Sequence, residues 1–253
     1  IDCSWHMPQT DRDGYEEYKK NHIPKSIFFD LDKNSKKETD LPHMLVSLDQ
    51  WEKIVSEMGI NNNDQIIIYD NSDVISACRC WYNFVYFGHK PELVKVLNGG
   101  FKKWVNENKV TDNIIPKITT TKYKAKEIQN LVKSKKEIDE NIINKQFDVI
   151  DARNIERFEG AVKEPREGLR SGNIKNSSCI PFGQLINTNK TFKSKKEIVE
   201  VFNKSLKNIK TDNVVFTCGS GVTACVLALA YSLINDKYLP KIYDGSWAEY
   251  GKI

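Results

Sequence analysis

The chain repeats itself. Asp64-Gln65-Ile66-Ile67-Ile68-Tyr69-Asp70 aligns with Asp212-Asn213-Val214-Val215-Phe216-Thr217-Cys218. Asn98-Gly99-Gly100-Phe101 aligns with Asp244-Gly245-Ser246-Trp247, and Asp2-Cys3-Ser4 with Asp151-Ala152-Arg153. Three collinear matches at a spacing of roughly 148 residues mark a duplication, so two like domains are expected. A length of 253 residues agrees, because it holds one large or two modest domains. The polar, aperiodic stretch 106–122, with Pro116 inside it, reads as a linker between domain 1–105 and domain 123–253. The second copy has a helical segment, 134–144, before its first strand, whereas the first copy begins inside that strand. Native residues are therefore expected to precede Ile1, and the absence of a targeting segment carries no weight.

Within each copy, strand-like apolar runs alternate with helical patterns, the signature of an α/β fold with a mainly parallel sheet flanked by helices. Ser47-Leu48-Asp49-Gln50 is a capping box that opens a helix to about Gly59, and Ser134/Glu137 and Ser194/Glu197 cap two more. Strands are expected at Gln65–Asp70, Leu93–Leu97, Phe147–Asp151, Asn213–Thr217 and Leu239–Tyr243. Further helices are expected near Val74–Phe87 and at Val222–Leu233, with a short helix ending near Trp104 and a terminal turn at Ser246–Tyr250.

Composition narrows the function classes. With 40% hydrophobic and 28% charged residues, the chain can pack a core and is not disordered. No apolar run approaches the ~18 residues a bilayer crossing needs, so no membrane association is expected. The net charge of +4 is spread along the sequence and does not demand a nucleic-acid partner. Six cysteines are too few for a disulfide scaffold, and four histidines make no zinc spacing, so neither a disulfide framework nor a metal is expected. Reduced cysteines point to the cytoplasm, with a mitochondrial location left open by the incomplete N-terminus.

The sharpest feature is Cys218-Gly219-Ser220-Gly221-Val222-Thr223-Ala224, between a buried strand and an apolar helix. A cysteine there sits at the carboxyl end of a parallel strand, where open α/β sheets bind ligands. The glycines let the backbone curl its N–H groups inward, an anion nest backed by a helix N-terminus that favours a thiolate or a charged sulfur intermediate. The matching first-copy loop, Asp70-Asn71-Ser72-Asp73-Val74-Ile75, lacks the cysteine and both glycines, so one copy reads as catalytic and the other as architectural. A cysteine phosphatase would need arginine at the position of Ala224. The dinucleotide fingerprint Gly219-x-Gly221-x-x-Ala224 leaves too little chain after it to complete such a domain. A plain structural cysteine would not explain the Gly-Ser-Gly that follows.

On these residues the chain resembles the two-domain rhodanese-like sulfurtransferases, over essentially its whole length. Asp2-Cys3-Ser4-Trp5, His22-Ile23-Pro24, Phe28-Phe29-Asp30, Leu41-Pro42-His43-Met44 and Leu97-Asn98-Gly99-Gly100 carry the resemblance in the first half. Asp151-Ala152-Arg153, Arg157-Phe158-Glu159-Gly160, Glu164-Pro165-Arg166 and the Cys218 loop carry it in the second. A Cys-Gly-Ser-Gly-Val-Thr loop looks like the 3-mercaptopyruvate branch, whereas the thiosulfate branch typically has Cys-Arg-Lys-Gly-Val-Thr. Thiosulfate is a compact dianion that loop cations neutralise; an uncharged loop suits a monoanionic keto acid.

The resemblance implies that Cys218 accepts sulfur as a persulfide and passes it to a thiol, possible acceptors being thioredoxin or, in an assay, cyanide. It implies that Arg157 and Arg166 hold the carboxylate and carbonyl of mercaptopyruvate, that the loop residues Gly219, Gly221, Val222 and Thr223 bind the donor, and that Ser220, His43 and Asp32 form a relay. No cofactor is implied. Thiosulfate sulfurtransfer is the alternative activity, and a sulfur-carrier or binding module without turnover is the non-enzyme alternative. Arg157 and Arg166 could instead make ion pairs with the adjacent glutamates, and His43 could be a capped interface histidine. The second copy departs from the family at Gly172-Asn173-Ile174-Lys175-Asn176, where proline and a closing glycine are missing and a looser turn is expected.

Overall fold

The computed structural model describes residues 1–206 and 211–253, and its chain divides into two units. The first comprises Ile1–Glu38, Leu45–Gln129 and Thr188–Thr191; the second comprises Thr39–Met44, Asn130–Asn187 and Phe192–Ile253.

In the first unit, Asp13 accepts the Tyr15 and Glu16 amides and opens α1, Gly14–Lys20. The Ser47/Gln50 capping box opens α2, Leu48–Glu57. Strand β1, Ile66–Ile68, leads to α3, Ala77–Tyr86, then to β2, Val94–Val96, and to α4, Gly100–Asn106. β1 and β2 pair in parallel from Ile66↔Val94 to Ile68↔Val96, and single parallel bridges join Asp2 to Tyr69 and to Phe28. All ten residues of α3 are buried, as expected of a helix with apolar side chains around most of its surface. Trp51 stacks on Phe87 at 4.8 Å and meets Phe84 edge-on at 5.0 Å. Each such buried side chain contributes about 1.5–3 kcal/mol of burial free energy.

Residues 106–122, read from the sequence as linker, run along this unit. Asp112 exchanges two backbone hydrogen bonds with His22 (2.8 and 3.0 Å), the Thr121 amide donates to Ser56 O, and Tyr123 is buried. The contact boundary accordingly falls after Gln129. Polarity made this stretch look detached, but its backbone groups find partners on the unit.

The second unit holds a five-stranded parallel sheet, β3 Val132–Lys133, β4 Asp148–Asp151, β5 Ser178–Cys179, β6 Val214–Thr217 and β7 Ile242–Tyr243, in the order β3-β7-β6-β4-β5. Capping boxes at Ser134/Glu137 and Ser194/Glu197 open α5, Lys135–Asn144, and α7, Lys195–Asn203. Asn154 caps α6, Ile155–Glu159. Helices α8, Ala224–Ser232, and α9, Ser246–Tyr250, follow β6 and β7. Ile138, Val149, Ile174, Val215, Tyr243 and Trp247 form one apolar cluster.

Equivalent hydrogen bonds recur in the two units. Cys3 N–H donates to Tyr69 O at 2.8 Å, and Ala152 N–H to Thr217 O at 2.8 Å. Phe29 N–H donates to Asp2 O at 2.8 Å, and Ile180 N–H to Asp151 O at 3.0 Å. Some elements are shorter than their apolar patterns. Helix α3 starts late because Ile75 (φ 52°) is left-handed, a conformation no right-handed helix propagates through; α8 starts at Ala224 because the turn before it is bonded i to i−3, Cys225 N–H to Val222 O and Val226 N–H to Thr223 O, both at 3.1 Å. β7 begins at Ile242 rather than Leu239, since Pro240 has no amide to give a ladder. The turn at 172–176 is closed by Ser177 N–H to Ile174 O (3.1 Å), with Asn176 taking the left-handed conformation at φ 66°. No helix among the described residues is long and apolar enough to cross a membrane.

Candidate active site

Strand β6 is central in its sheet, and Cys218 follows its last residue, Thr217. The chain then turns through Gly219–Thr223 into α8, with Gly221 left-handed. Cys218 is only 2% exposed. Its backbone is fixed from both sides: the N–H donates to Ser246 Oγ (3.3 Å), and the carbonyl accepts the Trp247 amide (2.9 Å). The Gly219 carbonyl accepts the Ala248 amide at 2.9 Å. The first turn of α9 thus takes the loop's first carbonyls. Among the described residues, the backbone amides of Gly219, Ser220, Val222 and Thr223 donate to no protein acceptor. Unpaired amides preceding a helix are the donor set of an anion site.

Ser220 and His43 are brought together in the second unit: Ser220 Oγ lies 3.0 Å from His43 Nδ1 and accepts Arg166 Nη2–H at 3.4 Å. His43 reaches it because Thr39–Met44, early in the chain, packs with the second unit. Its backbone is left-handed at φ 60°. Asp32 lies in the first unit, where its carboxylate accepts Trp5 Nε1–H at 2.9 Å.

Arg157 and Arg166 both flank the loop. A Cβ added to Gly219 would sit 3.3 Å from Arg157 Nη2 and 3.5 Å from Arg166 Nη1. Arg157 is also in an ion pair: its Nε and Nη2 donate to Glu164 at 3.2 and 2.5 Å. Glu164, whose side chain is 1% exposed, also accepts Arg153 Nη1–H at 2.7 Å. Arg153 is bound in turn by both carboxylate oxygens of Asp151 and by Gly172 O, and its guanidinium lies 4.4 Å from the Trp247 ring centroid. A buried chain of alternating charge therefore runs from the end of β4 to the cysteine loop. In the sequence Asp151, Arg153 and Glu164 stand only as motif letters, and their pairing shows in the fold; the acid-x-base spacing of Asp151 and Arg153 is the one local signal of it. Ser246 and Trp247, which hold Cys218, were visible only as a repeat match.

The first unit's loop is filled from within. The buried Asp70 carboxylate, at the position matching Cys218, accepts the Ser72 amide (3.0 Å) and the Ala77 amide (2.7 Å). Burial pushes its pKa up to about 7. The Asn71 and Val74 amides go to Ser4 Oγ (2.8 Å) and Ser72 Oγ (3.2 Å), so this loop's amides are taken up by the chain's own side chains. The other cysteines are packing residues: Cys225 Sγ meets Gly221 O at 3.1 Å, and burial pushes the Cys179 thiol up to about 12.

Comparison with known proteins places this geometry. The family described as Rhodanese-like domain matches residues 9–107 and 134–252. Thiosulfate/3-mercaptopyruvate sulfurtransferase 1, mitochondrial, of Arabidopsis thaliana is 35% identical over 272 residues, spanning 99% of this chain and 70% of that protein. The 3-mercaptopyruvate sulfurtransferase of Mus musculus is 35% identical over 252 residues, spanning 99% of this chain and 84% of its own. The crystal structure of SseA from Escherichia coli, described as showing the rhodanese fold and catalytic mechanism of 3-mercaptopyruvate sulfotransferases, superposes with a TM-score of 0.86. It is 29% identical, over 98% of this chain and 91% of that one. With the repeat, the parallel sheets and the cysteine loop in agreement, the chain belongs to the rhodanese-like family and carries two such domains in tandem.

Proposed function

We propose that this protein moves sulfur from 3-mercaptopyruvate to a thiol acceptor through a persulfide on Cys218. The observation that carries this reading is the pairing of an uncharged Gly219-Ser220 loop with two guanidinium groups beside Gly219. Arginine forks suit a carboxylate, and the keto acid has one. Thiosulfate, which has no carboxylate, is the second donor to test, because the same guanidiniums attract any anion.

The Cys218 thiolate attacks the donor sulfur. An S–S bond forms, the C–S bond breaks, and its electron pair passes to carbon as the enolate of pyruvate. The Ser220–His43 pair, hydrogen-bonded at 3.0 Å, delivers the proton that converts the enolate to pyruvate in this reading. On the family resemblance alone, Asp32 is assigned the fixing of the imidazole tautomer. The loop amides, including those of Gly219, Val222 and Thr223, hold the persulfide, and the turn at Gly221 shapes that cradle. An acceptor thiolate, such as reduced thioredoxin, or cyanide in an assay, then attacks the outer sulfur and releases Cys218 as thiolate. This chemistry needs a reducing compartment, cytoplasm or mitochondrial matrix. Parallel assays with mercaptopyruvate and thiosulfate test the reading, together with mass spectrometry for one added sulfur on Cys218. No added sulfur after mercaptopyruvate treatment overturns it.

A further inference from the structure

We infer that Ser246 is a positioning residue for the nucleophile: its hydroxyl stands between Cys218 and the neighbouring strand and so sets where the thiol lies against the loop amides. The inference rests on the sulfurtransferase reading above and deepens it.

Ser246 has a left-handed backbone, φ 50°, a conformation that costs free energy in a residue bearing a Cβ. Its repeat partner in the first unit, Gly100, has φ 56°, which glycine adopts freely. A Cβ added to Gly100 would collide with Asp70 O. The backbone frame around this position therefore favours glycine, yet the unit that holds the cysteine carries serine there.

The hydroxyl gives a reason. Strand β6 donates Phe216 N–H directly to Lys241 O at 2.9 Å. Two residues on, the parallel ladder would send Cys218 N–H to Tyr243 O. The Ser246 hydroxyl occupies that rung instead. It donates to Tyr243 O at 2.8 Å and accepts Cys218 N–H and Thr217 Oγ1–H, both at 3.3 Å, which uses its whole hydrogen-bonding capacity. With the Cys218 carbonyl taken by the Trp247 amide, both backbone groups of the nucleophile are tied, and the thiol keeps only rotation about its own side-chain bonds. Ser246 is fully buried and Cys218 is nearly so, and a buried amide deprived of its acceptor must find another. Without the hydroxyl, Cys218 N–H closes on Tyr243 O and draws the cysteine toward β7, away from the amides of Gly219, Ser220, Val222 and Thr223. In the first unit Asp70 needs no such spacer, because its carboxylate anchors itself on the Ser72 and Ala77 amides.

The experiment compares wild type, Ser246→Gly and Ser246→Ala by thermal unfolding and by steady-state kinetics with mercaptopyruvate and cyanide. Both variants lose the hydroxyl and only alanine keeps a Cβ on the left-handed backbone, so Ser246→Gly should melt at a higher temperature than Ser246→Ala. Both should nevertheless lose kcat by about tenfold or more with KM unchanged, as expected when a reacting atom is displaced by less than ~1 Å. If activity instead follows melting temperature, with Ser246→Gly turning over like wild type, the inference is overturned and Ser246 is a structural residue. A second readout does not use the proposed donor. Cys218 is loaded from inorganic polysulfide, its thiolate attacking one sulfur and displacing the remainder as a shorter polysulfide anion. Peptide mass spectrometry then follows the half-life of the Cys218 persulfide, which should be severalfold shorter in both variants; an unchanged half-life in Ser246→Gly overturns the inference. Wild type that holds this persulfide but takes no sulfur from mercaptopyruvate would sink the donor assignment and leave the positioning comparison standing.

Discussion

The Trp247 amide donates to the Cys218 carbonyl at 2.9 Å, and at the matching place in the first unit the Phe101 amide donates to the Asp70 carbonyl at 2.8 Å. One backbone frame therefore serves two chemistries. In one unit the framed residue is a thiol followed by the amides of Gly219, Ser220, Val222 and Thr223, which donate to no acceptor among the described residues; in the other it is a carboxylate that itself accepts the Ser72 and Ala77 amides.

Cys218→Ser should reduce sulfur transfer by at least about 10³-fold, since removing a nucleophile costs several orders of magnitude. The check is turnover with mercaptopyruvate alongside intact mass. Retained turnover would remove Cys218 from the mechanism.

Arg157→Ala and Arg166→Ala should each raise KM for mercaptopyruvate about tenfold or more, the loss expected for a charged hydrogen bond of roughly 1.5–3 kcal/mol. Arg157→Ala should also destabilise the fold, because it strips one partner from buried Glu164. Steady-state kinetics and thermal unfolding read the two effects separately. An unchanged KM in both variants would place the donor carboxylate elsewhere.

Ser220→Ala should lower kcat by about 10²-fold while leaving persulfide formation detectable, as a general acid–base contribution is typically ~10²–10⁴. His43→Gln should behave alike, and the double variant should be no worse than either single one if the pair at 3.0 Å acts as a unit. Additive losses would separate them.

Asp70 makes stability depend on pH in a defined direction. Its folded pKa, about 7, lies above the ordinary 3.8, so between those values the native state binds more protons than the unfolded chain. Its contribution to stability therefore falls as pH rises from 4 to 7, by at most about 1.4 kcal/mol per pH unit, and levels off above 7. Denaturant unfolding of wild type and Asp70→Asn across that window should show the slope to differ by this amount. Identical slopes would mean that Asp70 titrates normally.

Much of this molecule was legible in order along the chain. Capping boxes placed three helix starts, and the repeat announced two units, because caps and apolar periods act within a few residues. Strand Leu239–Tyr243 and helices Val74–Phe87 and Val222–Leu233 came out shorter, since Pro240, the left-handed Ile75 and the i-to-i−3 turn at Val222–Thr223 interrupt patterns that hydrophobicity alone would extend. The candidate cysteine, the two arginines, and Ser220 with His43 were also readable, through motif letters.

Local sequence alone determined the elements and pointed to the candidate cysteine, because strand, loop and cap preferences are encoded by neighbours. Only tertiary structure decided that Thr39–Met44 packs with the second unit and puts His43 against Ser220. It also decided that Glu164 lies between Arg153 and Arg157, and that α9 pins the Cys218 backbone. Buried charges must find partners wherever the fold brings them, and that choice is made across dozens of residues of separation, beyond the reach of any local pattern.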